Sequence, residues 1–202
     1  QLLPKLRTIY SQDSSILVNS EETIGLNNSA LRKIRGNKVS MIFQEPMTSL
    51  NPFHKVGNQI MESVMSHKKI SKHDARLRAM ELMQLVEIPD LERRFDAFPH
   101  ELSGGQRQRI MIAMALINEP DLLIADEPTT ALDVTIQAQI LDLMNRIKEQ
   151  LGMAILFITH DLGLVEKFSD TVSVMKGGKI VEQGNTKEIF SDPEDDLSLI
   201  HI

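Results

Sequence analysis

The amino-acid sequence predicts an α/β fold in which helices cover both faces of a largely parallel sheet. Two observations support this prediction. After Pro99, short apolar runs typical of buried strands alternate with longer segments whose apolar residues recur at helical spacing. Before it, residues 56–98 form a block with helical periodicity alone. Alternation of strand and helix favours parallel strands joined by crossover helices.

Two strands and one helix are predicted before residue 44. They are a strand at residues 15–18, a helix that has Asn28 as its cap and ends at Gly36, and a strand at residues 39–43. A polar loop marked by Pro46 and Pro52 follows from Gln44. This loop separates the strand from the helical block.

The helical block begins near Val56. Val56, Ile60 and Val64 recur at helical spacing, and Ser71 is placed to cap a second helix. No glycine or proline interrupts residues 58–88. We therefore expect residues 56–98 to form an α-helical subdomain and residues 99–191 to form the core.

The core is predicted to alternate between helices and strands. The predicted elements are a helix from Ser103 to Asn118, a buried strand at 122–125, a helix at 134–151 stopped by Gly152, a buried strand at 154–158, a helix at 162–168, and strands at 171–175 and 179–183. Gly177 and Gly178 predict the hairpin turn between the last two strands.

Composition excludes several classes of protein. The 202 residues include 28 acidic and 22 basic side chains, which gives a net charge of −6 and disfavours binding of nucleic acid through bulk charge. There is no cysteine, so disulfides and cysteine-ligated metals are excluded within this chain. The longest apolar run, residues 110–117, is far shorter than a membrane span.

Polar side chains follow three of the predicted strands. Asp126 and Glu127 come directly after residues 122–125, His160 follows residues 154–158, and Gln44 follows residues 39–43. The carboxyl ends of parallel strands are where α/β sheets bind ligands. A carboxylate there could hold Mg²⁺, and its neighbour could activate a water molecule. A strand that simply ends in solvated acids would show the same local pattern.

A second pattern opens the helix after residue 102. Ser103 is a good helix cap, and Gly104 and Gly105 permit close approach of a ligand to the backbone. The free N–H groups of a helix start attract phosphate. A simple capped turn is the alternative, but the full octet 102–109 (Leu-Ser-Gly-Gly-Gln-Arg-Gln-Arg) is far more specific than two glycines.

Together these residues resemble the nucleotide-binding subunit of an ABC transporter. Residues 102–106 are similar to the ABC signature, and residues 122–127 are similar to Walker B with its catalytic glutamate. Residues 131–133 resemble the D-loop, His160 resembles the H-loop, and Gln44 resembles the Q-loop. Residues 43–52, 98–101 and 125–133 resemble the peptide/nickel importer branch, within it most closely the ATPases of microcin C and short-peptide uptake. The resemblance covers roughly residues 36–190 and implies a P-loop NTPase-like (RecA-like) fold.

The resemblance also implies roles for individual residues. In such proteins two subunits bind two ATP molecules head to tail. By this resemblance Glu127 polarises the attacking water, Asp126 and Gln44 lie at Mg²⁺, and His160 contacts the γ-phosphate. The residues expected to face the partner's nucleotide or to cross the dimer interface are Ser103, Gly104, Gly105, Gln106 and Asp133.

The implied partners are a second ABC ATPase domain, transmembrane permease subunits and a substrate-binding protein, and no nucleic acid. The implied location is peripheral, at the cytoplasmic face of the inner (plasma) membrane. Residues 56–98 and the loop after Gln44 are expected to meet the permease. Non-transport ABC ATPases remain an alternative. The residues between Gln44 and Ser103 contain no cysteine and no sustained heptad repeat, and this disfavours the ABC ATPases of DNA repair and chromosome maintenance.

The sequence departs from the family in two places. The phosphate-binding motif G-x-x-x-x-G-K-[ST] does not occur, since Gly36-Asn37-Lys38 and Gly178-Lys179-Ile180 lack the upstream glycine and the hydroxyl. We therefore expect a chain truncated just after this P-loop and inactive alone, or a non-catalytic fragment. The second departure is the tail at 192–202, which no longer follows the branch after Asp192-Pro193.

Overall fold

The computed structural model describes residues 10–11, 13–44, 49–130, 132–195 and 198. Its strands are β1 (Leu17–Val18), β2 (Glu21–Glu22), β3 (Val39–Ile42), β4 (Leu122–Asp126), β5 (Ala154–Ile158), β6 (Thr171–Lys176) and β7 (Lys179–Asn185). Its α-helices are α1 (Asn28–Ile34), α2 (Val56–Met65), α3 (Lys72–Leu85), α4 (Leu91–Phe95), α5 (Gly104–Leu116), α6 (Val134–Leu151), α7 (Leu162–Phe168) and α8 (Thr186–Ser191).

A parallel sheet positions the site. Its order is β3-β4-β5, with Met41 opposite Ile124 and Ile124 opposite Leu156. Helix α5 leads into β4 and α6 leads from β4 to β5, as parallel strands require. β1 with β2 and β6 with β7 form two separate antiparallel pairs. The predicted α/β class is confirmed, with a smaller parallel sheet among the described residues than the sequence led us to expect.

The apolar core lies between the helical block and the sheet. Ile60 of α2, Met83 of α3 and Ile112 of α5 are fully buried, and all belong to one cluster with Leu123 of β4. The ring of Phe95 closes this block, with the Arg76 guanidinium 4.0 Å from its centroid. Residues 56–98 are thus helical, while their status as a separate subdomain stays a prediction.

Most predicted boundaries are reproduced within a few residues, and two predictions are wrong. Asn27, not Asn28, caps α1, because its side chain accepts from the Ala30 N–H at 2.9 Å. The sequence predicts a buried β5, yet Leu156 and Ile158 are 50% and 44% exposed. The reason is position, since β5 is the last strand of the described parallel sheet.

The turns and ends of the elements follow from their residue types. Gly177 and Gly178, at φ +57° and +78°, make the hairpin turn between β6 and β7, and Gly152, at φ +64°, ends α6. No helix within the described ranges is both long and apolar enough to cross a membrane. In the tail predicted to depart from the family, residues 196–197 and 199–202 lie outside the described residues. Ala131, in the segment that resembles the D-loop, lies outside them as well.

Candidate functional site

Three polar side chains meet where the parallel strands end. Gln44 lies two residues beyond β3, Glu127 directly follows β4, and His160 lies two residues beyond β5. Because the strands are parallel and in register, their carboxyl ends share one edge. The structure therefore brings together three residues that are far apart in the sequence.

Glu127 is the centre of this cluster. Gln44 Nε2 donates to Glu127 Oε2 at 2.9 Å, and His160 Nδ1 lies 2.9 Å from Glu127 Oε1. Thr130 Oγ1 also donates to Glu127 Oε2, at 2.9 Å. The side chain of Glu127 is 21% exposed, whereas that of His160 is 79% exposed. The carboxylate is therefore held from several sides while the imidazole remains accessible.

The backbone at Glu127 is strained. Its φ of +44° lies in the left-handed region, which a residue with a Cβ adopts at a cost of roughly 1–3 kcal/mol. The Glu127 N–H donates to the Ile158 carbonyl at 2.9 Å, and the Glu127 carbonyl accepts from the Thr130 N–H at 3.2 Å. These bonds fix the turn and aim the carboxylate across the ends of the strands.

Hydrogen bonding lowers the pKa of Glu127 below its ordinary value of 4.5. The bond with His160 contributes most, followed by those from Thr130 and Gln44, while partial burial opposes them. Donors to a carboxylate favour its charged form. Glu127 is therefore an anion at neutral pH, as a group that orients or polarises water must be.

Asp126 ends β4 and is half-buried. Among the described residues it forms no hydrogen bond with Gln44, Glu127 or His160. No group of three or more His, Cys, Asp or Glu side chains in the described ranges could hold a metal. Mg²⁺ usually takes only one or two protein carboxylates and completes its shell with water and phosphate. One carboxylate with one amide oxygen, from Asp126 and Gln44, fits that requirement, since the Gln44–Glu127 bond uses the amide nitrogen.

The signature residues begin α5. Ser103 caps the helix by accepting from the Gln106 N–H at 3.2 Å, and Gln106 Oε1 accepts from the Ser103 N–H at the same distance. This reciprocal pair is a capping box. Ser103 and Gly104 are exposed. None of the hydrogen bonds to the Glu127 side chain comes from these residues.

The same end of α5 packs against the start of α6. A Cβ on Gly105 would lie 2.9 Å from Ile136 Cγ2, so only glycine allows this approach without a shift. Asp133 caps α6, its Oδ1 accepting from the Ile136 N–H at 3.0 Å. Ser103, Gln106 and Asp133 thus have structural roles as caps, and their proposed contacts with nucleotide or partner stay predictions.

Sequence reasoning missed Thr130. The available signal was its position three residues after Glu127, a spacing at which a hydroxyl can reach back across a turn. The spacing alone is ambiguous, because the Thr130 hydroxyl reaches the carboxylate with the backbone of Glu127 in the left-handed region, which the sequence does not indicate.

The fold defines the class of this protein. Solved ABC cassettes share it, and the sheet with its helices is that of a P-loop NTPase. One is the dimeric, post-hydrolysis structure of the ATP-binding cassette MJ0796 bound to ADP and Pi, with a TM-score of 0.74, 29% identity, and coverage of 84% of this chain and 72% of that one. Another is cbiO1 from Clostridium perfringens, part of the ABC transporter complex cbiONQ, with a TM-score of 0.76, 31% identity, and coverage of 87% and 67%.

The sequence places the chain more closely. The profile of the ABC transporter family matches residues 6–130, and the chain belongs to this family. It is 58% identical to the peptidoglycan transport ATP-binding protein YejF of Agrobacterium fabrum, over 89% of the chain and 33% of that protein. It is 54% identical to the oligopeptide transport ATP-binding protein OppD of Bacillus subtilis, over 91% and 51%. The chain thus spans about a third to a half of these relatives.

Proposed function

We propose that this chain forms part of the ATP-hydrolysing subunit of a peptide importer, with Glu127 as the residue that polarises the attacking water. The observation that carries the proposal is the convergence of Gln44, Glu127 and His160 at the ends of three parallel strands. The names of the relatives support the coarser assignment to transport of peptides or peptidoglycan.

ATP would supply the phosphoryl group, and Mg²⁺ would offset its charge, with Asp126 and Gln44 as the residues placed to hold the ion. The protein's own part is positioning. Glu127 is anionic and aimed by three donors, so it can accept a hydrogen bond from water. His160 is exposed enough to reach a terminal phosphate while it stays within hydrogen-bond distance of Glu127.

We propose a head-to-tail pair as the active form, in which the signature faces the partner's nucleotide. The exposed Ser103 and Gly104 at a helix N-terminus suit that role, since backbone N–H groups there favour phosphate. The second ATPase domain, permease subunits and a substrate-binding protein are the proposed partners, at the cytoplasmic face of the plasma membrane. We expect little turnover from the chain alone, because its sequence contains no G-x-x-x-x-G-K-[ST] motif.

A chimaera tests the proposal. Residues 36–190 replace the matching region of OppD from Bacillus subtilis, and peptide uptake is measured in cells lacking OppD. We expect uptake from the chimaera, its loss with Glu127→Gln, and its retention with Glu149→Gln, an exposed site on α6. A chimaera that assembles but neither hydrolyses ATP nor supports uptake contradicts the proposal. Hydrolysis without uptake favours the non-transport alternative.

The proposed permease surface includes the loop after Gln44, of which residues 45–48 lie outside the described residues, and the helical block. Phe53 is 85% exposed, so its ring is accessible to a partner. In the chimaera, Phe53→Cys is expected to cross-link to the permease, whereas Glu149→Cys is not. Equal cross-linking at both positions would remove the support for this surface.

A further inference from the structure

Positive charge is concentrated on two segments of this acidic chain. Residues 31–38 and residues 65–73 contain no Asp or Glu, although the whole chain has a net charge of −6. All the Lys and Arg side chains of the two segments are exposed. These seven side chains, called the basic surface below, are Arg32, Lys33, Arg35, Lys38, Lys68, Lys69 and Lys72.

The fold brings the two segments together. Asn118 Nδ2 donates to the Gly36 carbonyl at 2.8 Å and to the Ser63 carbonyl at 3.1 Å, so the end of α5 bridges the turn after α1 and the end of α2. A Cβ on Gly36 would lie 3.0 Å from His67 Nε2. Burial lowers the pKa of His67 below its ordinary value of 6.5, and the charge of Arg32 lowers it further. The end of α1 and the loop after α2 therefore form one continuous surface.

Most charges of the basic surface have no counter-ion among the residues that the structure describes. Lys38 binds Asp121 at 3.4 Å, which partly offsets its charge. Asp74, just beyond the surface, accepts from the Ser71 hydroxyl at 2.7 Å. The members that form no salt bridge within the described ranges are Arg32, Lys33, Lys68, Lys69 and Lys72. The surface therefore attracts anions.

The composition of the basic surface favours lipid headgroups over other anions. Lysine predominates, and its compact, hydrated charge suits a diffuse array of headgroups, whereas arginine is preferred where one carboxylate or phosphate is bound in a fixed geometry. Neither segment contains Phe, Tyr or Trp, the side chains on which nucleic-acid bases stack. Met65 is 39% exposed at the end of α2 and adds the apolar side chain that surfaces at a membrane interface combine with basic ones.

We propose that the basic surface binds the anionic headgroups of a lipid bilayer and holds α1 and the loop between α2 and α3 against the membrane. Each basic side chain close to such a bilayer strengthens binding roughly fivefold. The attraction is local, because the potential of the bilayer decays within a Debye length, so acidic residues on other faces oppose it little. This contact with lipid goes beyond the proposed function, since it needs neither nucleotide nor permease.

The first test is co-sedimentation of the chain with vesicles in the absence of nucleotide. One set of vesicles contains equal parts of phosphatidylcholine and phosphatidylglycerol, and the other contains phosphatidylcholine alone. We expect binding to the mixed vesicles that weakens steadily as the salt concentration rises, and little binding to phosphatidylcholine. Equal binding to both sets, or binding to neither, overturns the proposal.

A matched pair of double variants tests the lysines. Lys68→Gln with Lys69→Gln is expected to weaken binding to the mixed vesicles at least about tenfold, which is about 1.4 kcal/mol. Lys176→Gln with Lys179→Gln changes the net charge equally at exposed positions beside the β6–β7 turn, and is expected to weaken binding less than about twofold. Equal weakening would mean that net charge alone controls binding. A single-stranded RNA that displaces the chain from the vesicles and depends on the same two lysines would make nucleic acid the occupant. Either result overturns the proposal.

A fluorescent label tests which face meets the lipid and leaves every basic side chain in place. The chain contains no cysteine, so a single introduced cysteine can be labelled with a nitrobenzoxadiazole dye. We expect mixed vesicles to shift the emission of labelled Met65→Cys to the blue, and to leave that of labelled Met175→Cys, at a 61% exposed position of β6, unchanged. A shift at position 175 as large as at position 65, or a shift at neither, overturns the proposal. Such a failure would leave the role proposed for Glu127 untouched.

Discussion

The hydroxyl of Thr130 donates a hydrogen bond to Glu127 Oε2 at 2.9 Å, across the turn that follows β4. The same oxygen accepts from Gln44, and the other carboxylate oxygen faces His160. Both oxygens of Glu127 are therefore engaged, and the carboxylate is oriented by residues from three separate segments. In the proposed function, a carboxylate held in this way needs little reorganisation at the moment of reaction.

Removal of these donors is expected to raise the pKa of Glu127 in a fixed order. His160→Ala raises it most, Thr130→Ala less and Gln44→Ala least, following the strength of their effects on the carboxylate. A ¹³C NMR titration of the glutamate carboxyl groups measures this order. Thr130→Ser keeps the hydroxyl and serves as the control. An unchanged Glu127 pKa in Thr130→Ala would mean that the hydrogen bond does not exist in solution.

The stability of the chain should depend on Glu127 in acid. Folding lowers the pKa of Glu127 below 4.5, its ordinary value in an unfolded chain. The contribution of Glu127 to the free energy of unfolding is therefore complete above pH 4.5 and disappears as the pH falls through the pKa of the folded chain. Urea unfolding between pH 6 and pH 3 measures this contribution. The free energies of unfolding of the unaltered chain and of Glu127→Gln should converge as the pH falls. When both proteins also carry His160→Ala, the difference between their free energies of unfolding should depend less on pH. An unaltered pH dependence would contradict His160 as the main cause of the lowered pKa of Glu127.

Glu22 offers a second titration at lower pH. Its pKa is lowered to about 2, chiefly by the Ser15 hydroxyl and then by the backbone N–H groups of Ile24 and Ile16. Any stabilisation of the β1–β2 pair by this carboxylate should be complete above pH 4.5, decline progressively as the pH falls below that value, and vanish as the pH passes through about 2. Hydrogen exchange of residues 16–24 measures it. Ser15→Ala should raise the pKa of Glu22, and an unaltered value would contradict the assignment.

The two glycines of the signature should respond differently to alanine. A Cβ added at Gly105 would lie 2.9 Å from Ile136 Cγ2, which is a clash. A Cβ added at Gly104 would lie 3.6 Å from Leu132 Cδ2, which is an ordinary van der Waals contact. We expect Gly105→Ala to lower the free energy of unfolding by about 1–3 kcal/mol and Gly104→Ala to leave it unchanged or slightly raised. Ile136→Ala should rescue Gly105→Ala in a double-mutant cycle, and additivity would contradict the clash.

Gly57 is the single glycine of residues 56–98 and has less room for a Cβ than any other glycine that the structure describes. A Cβ there would lie 2.4 Å from Phe95 Cδ1, within the ring that Arg76 covers. We expect Gly57→Ala to lower the free energy of unfolding by about 1–3 kcal/mol or more, despite the better helix propensity of alanine. Asn58→Ala, at an exposed position of the same helix, is the control. Equal stability of the two variants would mean that Phe95 can move aside freely.

Local sequence patterns predicted most of the elements because their causes are local. Gly152 in the left-handed conformation ends α6, and two positive-φ glycines make the β6–β7 turn. Ser103 and Gln106 form a capping box that three-residue spacing indicates by itself. The error at α1 was of one residue, because Asn27 and Asn28 are both good caps and only the backbone geometry chooses between them.

The sequence by itself determined which residue types stand at the ends of the strands, and the ABC signature among them indicated the family. Only the tertiary structure decided that Gln44 and His160 both reach Glu127, that Thr130 joins them, and that Leu156 and Ile158 of β5 are exposed. The physical reason is the range of the forces involved. Caps and turns arise within a few residues, whereas a shared sheet edge depends on strand order and register set by the packing of the whole core.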